Sequence, residues 1–478
     1  MQHSTTGPDS GVKRTHRRLW RLGLVTLITF ILPACRVPKS DMTILRRQLN
    51  AGENRQILKQ TNLARVWSGH PVGFSLLTTD KFQYAAFYDS ARRMCIAQRE
   101  LPGDHWTIQT LPSVTGWDSH NYIAVARDKD GYLHISGNMH AVPLVYFRSR
   151  KPDDISDFEQ LSMTGKNESH VTYPVFFKDA QGNLFFQYRQ GGSGNGTTLW
   201  NRYDTRTRQW TQVFDKGLFD GEGEANAYSS NPILGPDGYV YIAYMWRATP
   251  IANTNHNLSC IRSRDLIHWE NLKGEPLTLP VRWRDASAFA DPTGPWNGMI
   301  NSNFTLSWDN RGRPCLTYHK YDQQGNSQIF VARLESSRWK IYQLSSWTGF
   351  RWNIDEGGSL GRQVGNVTLK PIGDGKLIAN YYNVHVGRGI WLIDGGNFHI
   401  LRTLADETLS ELPASLTNQQ PEEEGMQINR ATDNTGNYLL EWESLPVNRD
   451  RPRNPPYPTP TWLKVIQLSA RGGNTGSR

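Results

Sequence analysis

The chain has 478 residues and a formal net charge of +9, and 11% of its residues are aromatic. This composition excludes a disordered or fibrous chain and predicts a globular protein with enough apolar mass for a large core. The basic residues outside the N-terminal segment are dispersed along the chain, which argues against nucleic-acid binding.

The N-terminal segment has the order of an export signal. A basic cluster at 13–21 precedes a short apolar run at 22–32 and then Pro33, Ala34 and Cys35. The run is shorter than the roughly 20 residues needed to span a bilayer. Residues 32–35 resemble a bacterial lipobox, in which a lipid on Cys35 would provide the membrane contact, and Arg17-Arg18 also allows a twin-arginine signal. An uncleaved signal anchor is the alternative.

We therefore predict an export signal at 1–35 and a linker at 36–60, and we expect the protein in the bacterial cell envelope or secreted. Cys95, Cys260 and Cys315 lie outside any CxxC pair. One disulfide with a spare thiol and three buried free cysteines are both compatible with this spacing.

From residue 61 the sequence repeats one pattern: an apolar strand, a turn with Asp or Asn and Gly, and an aromatic-rich strand. The copies are at 78–89, 127–137, 178–189, 235–247, 308–322, 372–384 and 432–444. Their spacing leaves room for a four-stranded sheet each, which is typical of a β-propeller. The segment 263–269, SRDLIHW, resembles the turn of sialidase-type blades, although it lacks the expected Gly.

These repeats predict an all-β fold, a seven-bladed β-propeller in a single domain over residues 61–470, with a loose tail at 471–478. Residues 460–470 are predicted to form a strand that closes the ring against the first blade. A β-sandwich or two stacked β-domains are the alternatives.

The hairpin at 116–142 places His120 and His140 evenly about the turn at 128–131. If Asp130 lies near the centre of the turn, paired residue numbers sum to about 260, and the two histidines become cross-strand neighbours roughly 5 Å apart at Cβ. A bulge would break this register, and chance symmetry is the alternative.

The next repeats add tyrosines and arginines. Tyr188 and Arg189 end a predicted strand and lead into a glycine-rich loop at 191–196, which no Gly-Lys-Ser/Thr follows, so a phosphate loop is excluded. Arg202 follows in LWNRYD. Tyr244, Trp246 and Arg247 end YIAYMWR.

Six segments of the chain carry a family resemblance: DSHNYIAVARDKDGYLHISGNMH, TYPVFF, FQYRQGGSGNG, NRYD, YMWR and YHKYDQQGNSQIFVAR. They resemble the seven-bladed propeller polysaccharide lyases that include ulvan lyases and L-rhamnosyl-α-1,4-glucuronate lyases. The resemblance covers roughly residues 61–450. It implies a lyase that cleaves a rhamnosyl-(1→4)-uronate linkage by β-elimination and leaves an unsaturated uronic acid. The implied catalytic residues are His120, His140, Tyr188 and Arg202.

In such a reaction an arginine would pair with the uronate carboxylate, a base would remove the C5 proton and an acid would protonate O4. Arg202 is the first choice for the arginine, with Arg189 and Arg247 as reserves. Tyr188 and His140 are assigned as the acid/base pair, with the order open, and His120 orients the substrate or shares the proton.

The predicted substrate-binding residues are Asn121, Arg189, Tyr244, Trp246 and Arg247. The chemistry is expected to need no cofactor. The spacing of His256, His319 and His385 near one repeat length allows a structural zinc or calcium site, although it lacks the short spacings of dependable zinc sites.

The expected partner is an acidic polysaccharide, and we expect a monomer. Two other functions remain open. A sialidase-like glycoside hydrolase would need a carboxylate-supported nucleophile, or paired carboxylates, in the site. Glu222, Glu224, Asp118 and Asp355 are the available carboxylates. A non-catalytic glycan-binding propeller would keep the aromatic and arginine residues but would not need the His/Tyr pair.

Overall fold

The computed structural model describes residues 43, 45–46, 55–358 and 360–470. The predicted export signal with Cys35 and the predicted tail at 471–478 lie outside these residues. The chain divides into the units Met1–Thr43 and Ile44–Arg478, and the fold described below is that of the second unit. Within these ranges no helix combines the length and the apolar character needed to cross a bilayer.

The strands of the described residues form seven sheets, and the first half of the chain supplies three of them. After β1 (Ile57–Val66), the first sheet contains β2 (Ser75–Thr78), β3 (Phe82–Tyr88), β4 (Arg93–Glu100) and β5 (Thr107–Val114). The second contains β6 (Ile123–Arg127), β7 (Leu133–Gly137), β9 (Tyr146–Ser149) and β10 (Phe158–Gln160), while β8 (His140–Val142) joins the third sheet. The third also contains β11 (Val171–Lys178), β12 (Leu184–Gln190), β13 (Thr197–Asp204), β14 (Gln209–Gln212), β15 (Phe219–Asp220) and β21 (Val281–Arg282).

Four more sheets follow. The fourth contains β16 (Asn226–Ser229), β17 (Ile233–Leu234), β18 (Val240–Arg247), β19 (Asn255–Ser263), β20 (Trp269–Asn271) and β22 (Phe289–Asp291). The fifth contains β23 (Phe304–Trp308), β24 (Pro314–Tyr321), β25 (Ser327–Glu335) and β26 (Arg338–Gln343). The sixth contains β27 (Lys370–Gly373), β28 (Lys376–Asn383), β29 (Gly387–Asp394) and β30 (Ile400–Ala405). The seventh contains β31 (Gln427–Thr432), β32 (Tyr438–Ser444), β33 (Thr461–Leu468) and β1. In the described residues from 55 to 470 the helical segments are three 3₁₀ turns and one short α-helix, namely Ser119–Asn121, Ala252–Thr254, Ala286–Ala288 and α1 (Ala414–Thr417).

Each of the seven sequence repeats lies at the turn between two consecutive antiparallel strands, each time in a different sheet, so the all-β class is confirmed. The turn at 128–131 illustrates the local cause. Asp128 accepts hydrogen bonds from the backbone N–H groups of Asp130 and Tyr132. Gly131 adopts φ 92°, a conformation that costs glycine little.

The two ends of the described chain share the seventh sheet. β1 pairs antiparallel with β33, which also pairs with β32. The predicted C-terminal strand at 460–470 is therefore present and pairs with the first strand of the chain. β1 begins at Ile57, inside the segment predicted as a linker, because Arg55 and Gln56 hydrogen-bond to Ser469 and extend the sheet upstream.

The core consists of apolar clusters that form within and between neighbouring sheets. The largest joins Phe87 and Ile96 of the first sheet with Leu133 of the second and Leu440 of the seventh. Cys95, Cys260 and Cys315 are buried in this interior as free thiols, which resolves the choice that the sequence left open.

Candidate active site

The hairpin register predicted for the histidine pair is observed. Ile123 pairs with Gly137 and Arg127 with Leu133, so paired residue numbers sum to 260. The ladder stops before the histidines, because His120 lies in a 3₁₀ turn and His140 in β8, opposite Thr172. The two imidazole rings nevertheless stack, with centroids 4.1 Å apart.

One carboxylate connects the two rings. Asp118 Oδ1 is 2.6 Å from His120 Nδ1, and Asp118 Oδ2 is 2.5 Å from His140 Nδ1. The same carboxylate begins the 3₁₀ turn by accepting the backbone N–H of His120. Burial acts to raise the pKa of Asp118, but the hydrogen bonds from both histidines outweigh it, and the pKa lies well below its usual range. Asp118 is therefore ionised at neutral pH.

A tyrosine lies directly against the histidine pair. The Tyr173 ring centroid is 5.5 Å from that of His120. The register of β11 and β12 shifts between Thr172 and Val175, and Tyr173 within this irregularity has φ 61°. Desolvation and the neighbouring Tyr228 raise the pKa of Tyr173, and the positive charges of Arg189 and Arg247 oppose this shift without reversing it. Tyr173 therefore keeps its proton at neutral pH.

A buried arginine completes the group. Arg189 donates from its guanidinium to Thr172 Oγ1 at 3.0 Å and to the Tyr228 hydroxyl at 3.2 Å. Its guanidinium carbon lies 4.9 Å from the centroid of Tyr173. Within the described residues Arg189 makes no ion pair, and its Nε has no hydrogen-bond partner. A buried guanidinium without a counter-charge is costly, so this position suits an anionic ligand.

A second arginine lies on the far side of Tyr228. The Arg247 guanidinium carbon is 5.5 Å from the Tyr228 ring centroid, and its hydrogen bonds go to the carbonyls of Thr249 and Pro250 and to Asn301. These acceptors are neutral, so both arginines add positive charge beside Tyr228.

Two cavities border these residues. The first, which we call the tyrosine cavity, measures about 210 Å³, and its lining includes Tyr173, Arg189 and Tyr228. The second, the histidine groove, measures about 540 Å³, and its lining includes Asp118 and His140. His140 thus borders the groove, and His120 contacts Tyr173 of the cavity.

Three non-glycine residues at the site, Tyr173, Ala141 and Asp450, have positive φ angles. Ala141 and Asp450 have φ 53° and 60°, as unusual for non-glycine residues as that of Tyr173. Thr172 Oγ1 holds the strained strand by accepting the Ala141 N–H. The Asp450 carboxylate accepts the N–H and hydroxyl of Ser119, next to His120. Backbone strain of this kind is common at functional sites, so it supports a functional role for these residues.

The other two predicted catalytic residues have different surroundings. Tyr188 lines the tyrosine cavity, but it is 1% exposed and packs in an apolar cluster with Phe186 and Leu199, and burial raises the pKa of its phenol. Arg202 is exposed on β13 opposite Phe185, whereas Arg189 pairs with Thr198. Four positions along a strand separate the two arginines by about 13 Å. The structure therefore brings together His120, His140 and Arg189, but not Arg202.

The predicted substrate-binding residues also divide. Arg189 and Arg247 lie beside Tyr228, as described above. Tyr244 and Trp246 are fully buried and pack against Phe219 in the core. Asn121 is buried, and its amide donates to Thr115 Oγ1. Tyr244 and Trp246 therefore belong to the core, whereas Asn121 also lines the histidine groove.

The three histidines of the predicted metal site do not converge. His319 is fully buried and hydrogen-bonds to the Gly298 carbonyl, His256 packs against Trp283, and His385 is exposed beside Phe350. In the described part of the chain, the group with ligand atoms close enough to hold a metal is Asp118, His120 and His140. A structural metal at the predicted histidines therefore has no geometric support.

The sequence reasoning did not assign three residues to the lyase site, although it named Asp118 as an available carboxylate, and two of the three had a usable signal. Tyr173 precedes Pro174 within a strand, and proline inside a sheet marks a bulge that can redirect a neighbouring side chain. Asp118 lies two residues before His120, the spacing of a capping carboxylate. Tyr228 had no comparable signal, because only the fold brings it to Arg189.

Comparison with known proteins now defines the class. Residues 82–347 match the family model described as "BNR repeat-containing family member". The chain belongs to this family and has its propeller-type fold.

Among curated proteins the chain is similar to ulvan lyases. The short isoform from Alteromonas sp. (strain LOR) is 26% identical over 151 residues, which cover 28% of each chain. The long isoform from Pseudoalteromonas sp. (strain PLSV) is 26% identical over 140 residues, 26% of this chain and 14% of that protein. The matches thus span less than a third of the length of these relatives.

Solved structures extend the likeness to most of the chain. A PL25 ulvan lyase bound to -[GlcA(1-4)Rha3S]- aligns with a TM-score of 0.55 and 14% identity, covering 86% of this chain and 96% of that one. The polysaccharide lyase Uly1 aligns with a TM-score of 0.55 and 14% identity, covering 86% and 99%. At this identity the alignments show a shared fold.

Proposed function

We propose that the protein is a polysaccharide lyase that cleaves a rhamnosyl-(1→4)-uronate linkage by β-elimination and releases an unsaturated uronic acid. The observation that carries the proposal is a stacked histidine pair and a protonated tyrosine beside a buried arginine that has no ion-pair partner among the described residues. The similarity to ulvan lyases supports the same class, and ulvan or a related acidic rhamnose-glucuronate glycan is the proposed substrate.

Arg189 takes the role of the arginine that binds the uronate carboxylate. Removal of the C5 proton builds charge onto this carboxylate, and a guanidinium already desolvated in the tyrosine cavity stabilises that charge at little reorganisation cost. Arg247 reinforces the positive field from the other side of Tyr228. We assign carboxylate binding to Arg189 in place of Arg202, because Arg202 is exposed near the opposite end of the β12–β13 strand pair.

The proton transfers fall to the histidine pair and Tyr173. A neutral imidazole removes the C5 proton, the C5–H electrons form the C4–C5 double bond, and the C4–O4 bond breaks. The protonated Tyr173 hydroxyl then donates its proton to O4, because its raised pKa leaves it in the acid form. Tyr188, the tyrosine assigned from sequence, is replaced because its side chain packs in an apolar cluster.

The two alternative functions fit the site less well. A retaining or inverting hydrolase needs two carboxylates across the scissile bond, whereas Asp118 is bound to both histidines. Glu222 and Glu224 form exposed ion pairs with Arg282 and Arg284. A purely glycan-binding protein has no need for a carboxylate that anchors two imidazoles.

We further propose that the seven sheets are the blades of one closed propeller. Strands of neighbouring sheets contact each other, as β2 with β6, β6 with β11 and β23 with β27, and β31 of the last sheet contacts β2 of the first. Export through the N-terminal signal, with attachment through Cys35, remains a proposal from the sequence and agrees with a polymeric substrate.

The test mixes the purified protein with ulvan and, separately, with an unsulfated rhamnose-glucuronate glycan. We expect the ultraviolet absorbance of an unsaturated uronate to rise with one of them, and the rise to disappear in Tyr173→Phe. New reducing ends without this absorbance would indicate hydrolysis and overturn the proposal. Binding without any product would indicate a glycan-binding protein.

A further inference from the structure

We propose that Asp118 is the positioning residue of the site: it holds both His120 and His140 as Nδ1–H tautomers, so that both Nε2 atoms are bases available to substrate. The tautomers follow from the geometry of the free protein. The expected loss of catalysis on changing Asp118 rests on the proposed lyase function.

The hydrogen-bonding capacity of an ionised carboxylate determines the tautomers. A carboxylate can only accept hydrogen bonds, and Asp118 lies within 2.6 Å of both Nδ1 atoms. Each Nδ1 must therefore carry the proton, which leaves the lone pair of a neutral imidazole on Nε2. In the described structure neither Nε2 makes a hydrogen bond, so both remain available to a ligand.

Asp118 also determines where the two rings lie. Its oxygens are divided between the histidines, and the backbone N–H of His120 shares Oδ1, so the carboxylate cannot rotate without breaking several bonds. The Tyr173 ring packs edge-on against His120, with the two ring centroids 5.5 Å apart. A second carboxylate, Asp450, lies 3.7 Å from His120 Nδ1 and binds Ser119. The pair is thus orientated before substrate arrives, which is how a buried aspartate assists a catalytic histidine.

The sharpest test is Asp118→Asn, because an amide has the shape of the carboxylate but one donor end and one acceptor end. The acceptor end can keep one histidine as Nδ1–H, whereas the donor end requires the other to carry its proton on Nε2. Nitrogen-15 NMR of histidine-labelled full-length protein, above the titration range of the two rings, distinguishes these tautomers directly. We expect two Nδ1–H signals for His120 and His140 in the wild type and one of each tautomer in Asp118→Asn.

Kinetics on the proposed substrate supply the second readout. We expect Asp118→Asn to lower kcat by about 10² to 10⁴-fold with little change in KM, because one base is lost while Arg189 still binds the uronate. Asp157→Asn, which breaks an exposed ion pair with Arg150, is the matched control and should leave both constants unchanged.

The possible outcomes separate this inference from the proposed function. An Nε2–H tautomer at either histidine of the wild type would overturn the inference, and so would an unchanged kcat in Asp118→Asn of an active lyase. If the wild type shows both Nδ1–H signals but no lyase activity, the positioning role stands and the proposed function fails. If Asp118→Asn does not fold, Asp118→Glu, which keeps two acceptor oxygens, should retain both Nδ1–H signals and recover part of kcat.

Discussion

The two ends of the β12–β13 strand pair show why this site differs from its surroundings. At one end Arg189 is 3% exposed and surrounded by tyrosines, a threonine and no carboxylate within the described structure. Near the other end Arg202 is exposed to solvent. An exposed arginine costs the fold little, whereas a buried unpaired one must be offset by the rest of the structure. The buried cation is therefore the one that indicates a function.

Tyr188 and Arg189 repeat this contrast within two consecutive residues. Successive side chains of a strand point to opposite faces. Tyr188 consequently enters the apolar cluster with Phe186, while Arg189 reaches Tyr228 in the tyrosine cavity. A motif that reads YR thus contains one packing residue and one candidate ligand-binding residue.

The largest expected effect contrasts the two tyrosines. Tyr173→Phe removes the proposed acid and should lower kcat by about 10² to 10⁴-fold. Tyr188→Phe removes a buried hydroxyl that has no partner in the structure, so activity should stay within about twofold and stability within about 1 kcal/mol. Initial rates and urea unfolding of both variants test the contrast. Equal losses of activity would restore Tyr188 to the site.

The arginine contrast should be the next largest. Arg189→Gln should reduce kcat/KM by about 10² to 10³-fold, because the developing carboxylate charge loses its counter-ion. Arg202→Gln should leave kcat/KM nearly unchanged. Melting temperatures of both variants must be compared, since Arg189 also bonds Thr172 and Tyr228. If Arg202→Gln were the inactive variant, the site would have to be moved along the sheet.

The fold was largely predictable because its signals are local. A turn of this kind has an aspartate that accepts backbone N–H groups and a glycine with positive φ, and the combination recurs in the second, third, fifth and seventh sheets. The strand at 460–470 was predicted from its apolar pattern, but its pairing with β1 in the last sheet was not. The strand start at Ile57 was missed because it depends on Arg55 contacting Ser469, more than 400 residues away.

The site was only partly predictable because it depends on side-chain direction. The symmetry about the turn at 128–131 was sufficient to bring His120 and His140 together. The strand bulge that turns Tyr173 towards His120, and the packing that brings Tyr228 to Arg189, involve separate strands and sheets. Pattern reasoning on one strand therefore assigned Tyr188 and did not find Tyr173, which lies on a separate strand.

A third contrast concerns histidines and the pH dependence of stability. Unlike His120 and His140, His319 is fully buried without a charged partner, and burial lowers its pKa to about 4. Between pH 6.5 and about 4 the unfolded chain binds a proton here that the folded chain does not, so the free energy of unfolding falls as the pH drops. The full effect is about 3 kcal/mol.

Urea unfolding across this pH window tests the contrast. His319→Gln should make the fall in stability shallower, whatever stability it loses at pH 7 through packing. His105→Gln, at an exposed position, is the matched control and should leave the slope unchanged. An unaltered slope in His319→Gln would mean that other groups control the acid sensitivity.

The smallest expected effect contrasts the two carboxylates beside His120. Asp118 binds both imidazoles, whereas Asp450 binds Ser119 through the backbone N–H at 3.0 Å and the hydroxyl at 2.7 Å. Asp450→Ala removes these acceptors from the start of the 3₁₀ turn and should cost about 1 kcal/mol of stability, as the loss of a helix cap does. Activity should fall by only a few-fold, because Asp118 still orientates both rings. Urea unfolding and initial rates check both numbers, with Asp157→Ala as the control for a lost surface carboxylate. If Asp450→Ala abolished activity at unchanged stability, Asp450 would act on the proton transfers themselves, and the pair would have two anchoring carboxylates instead of one.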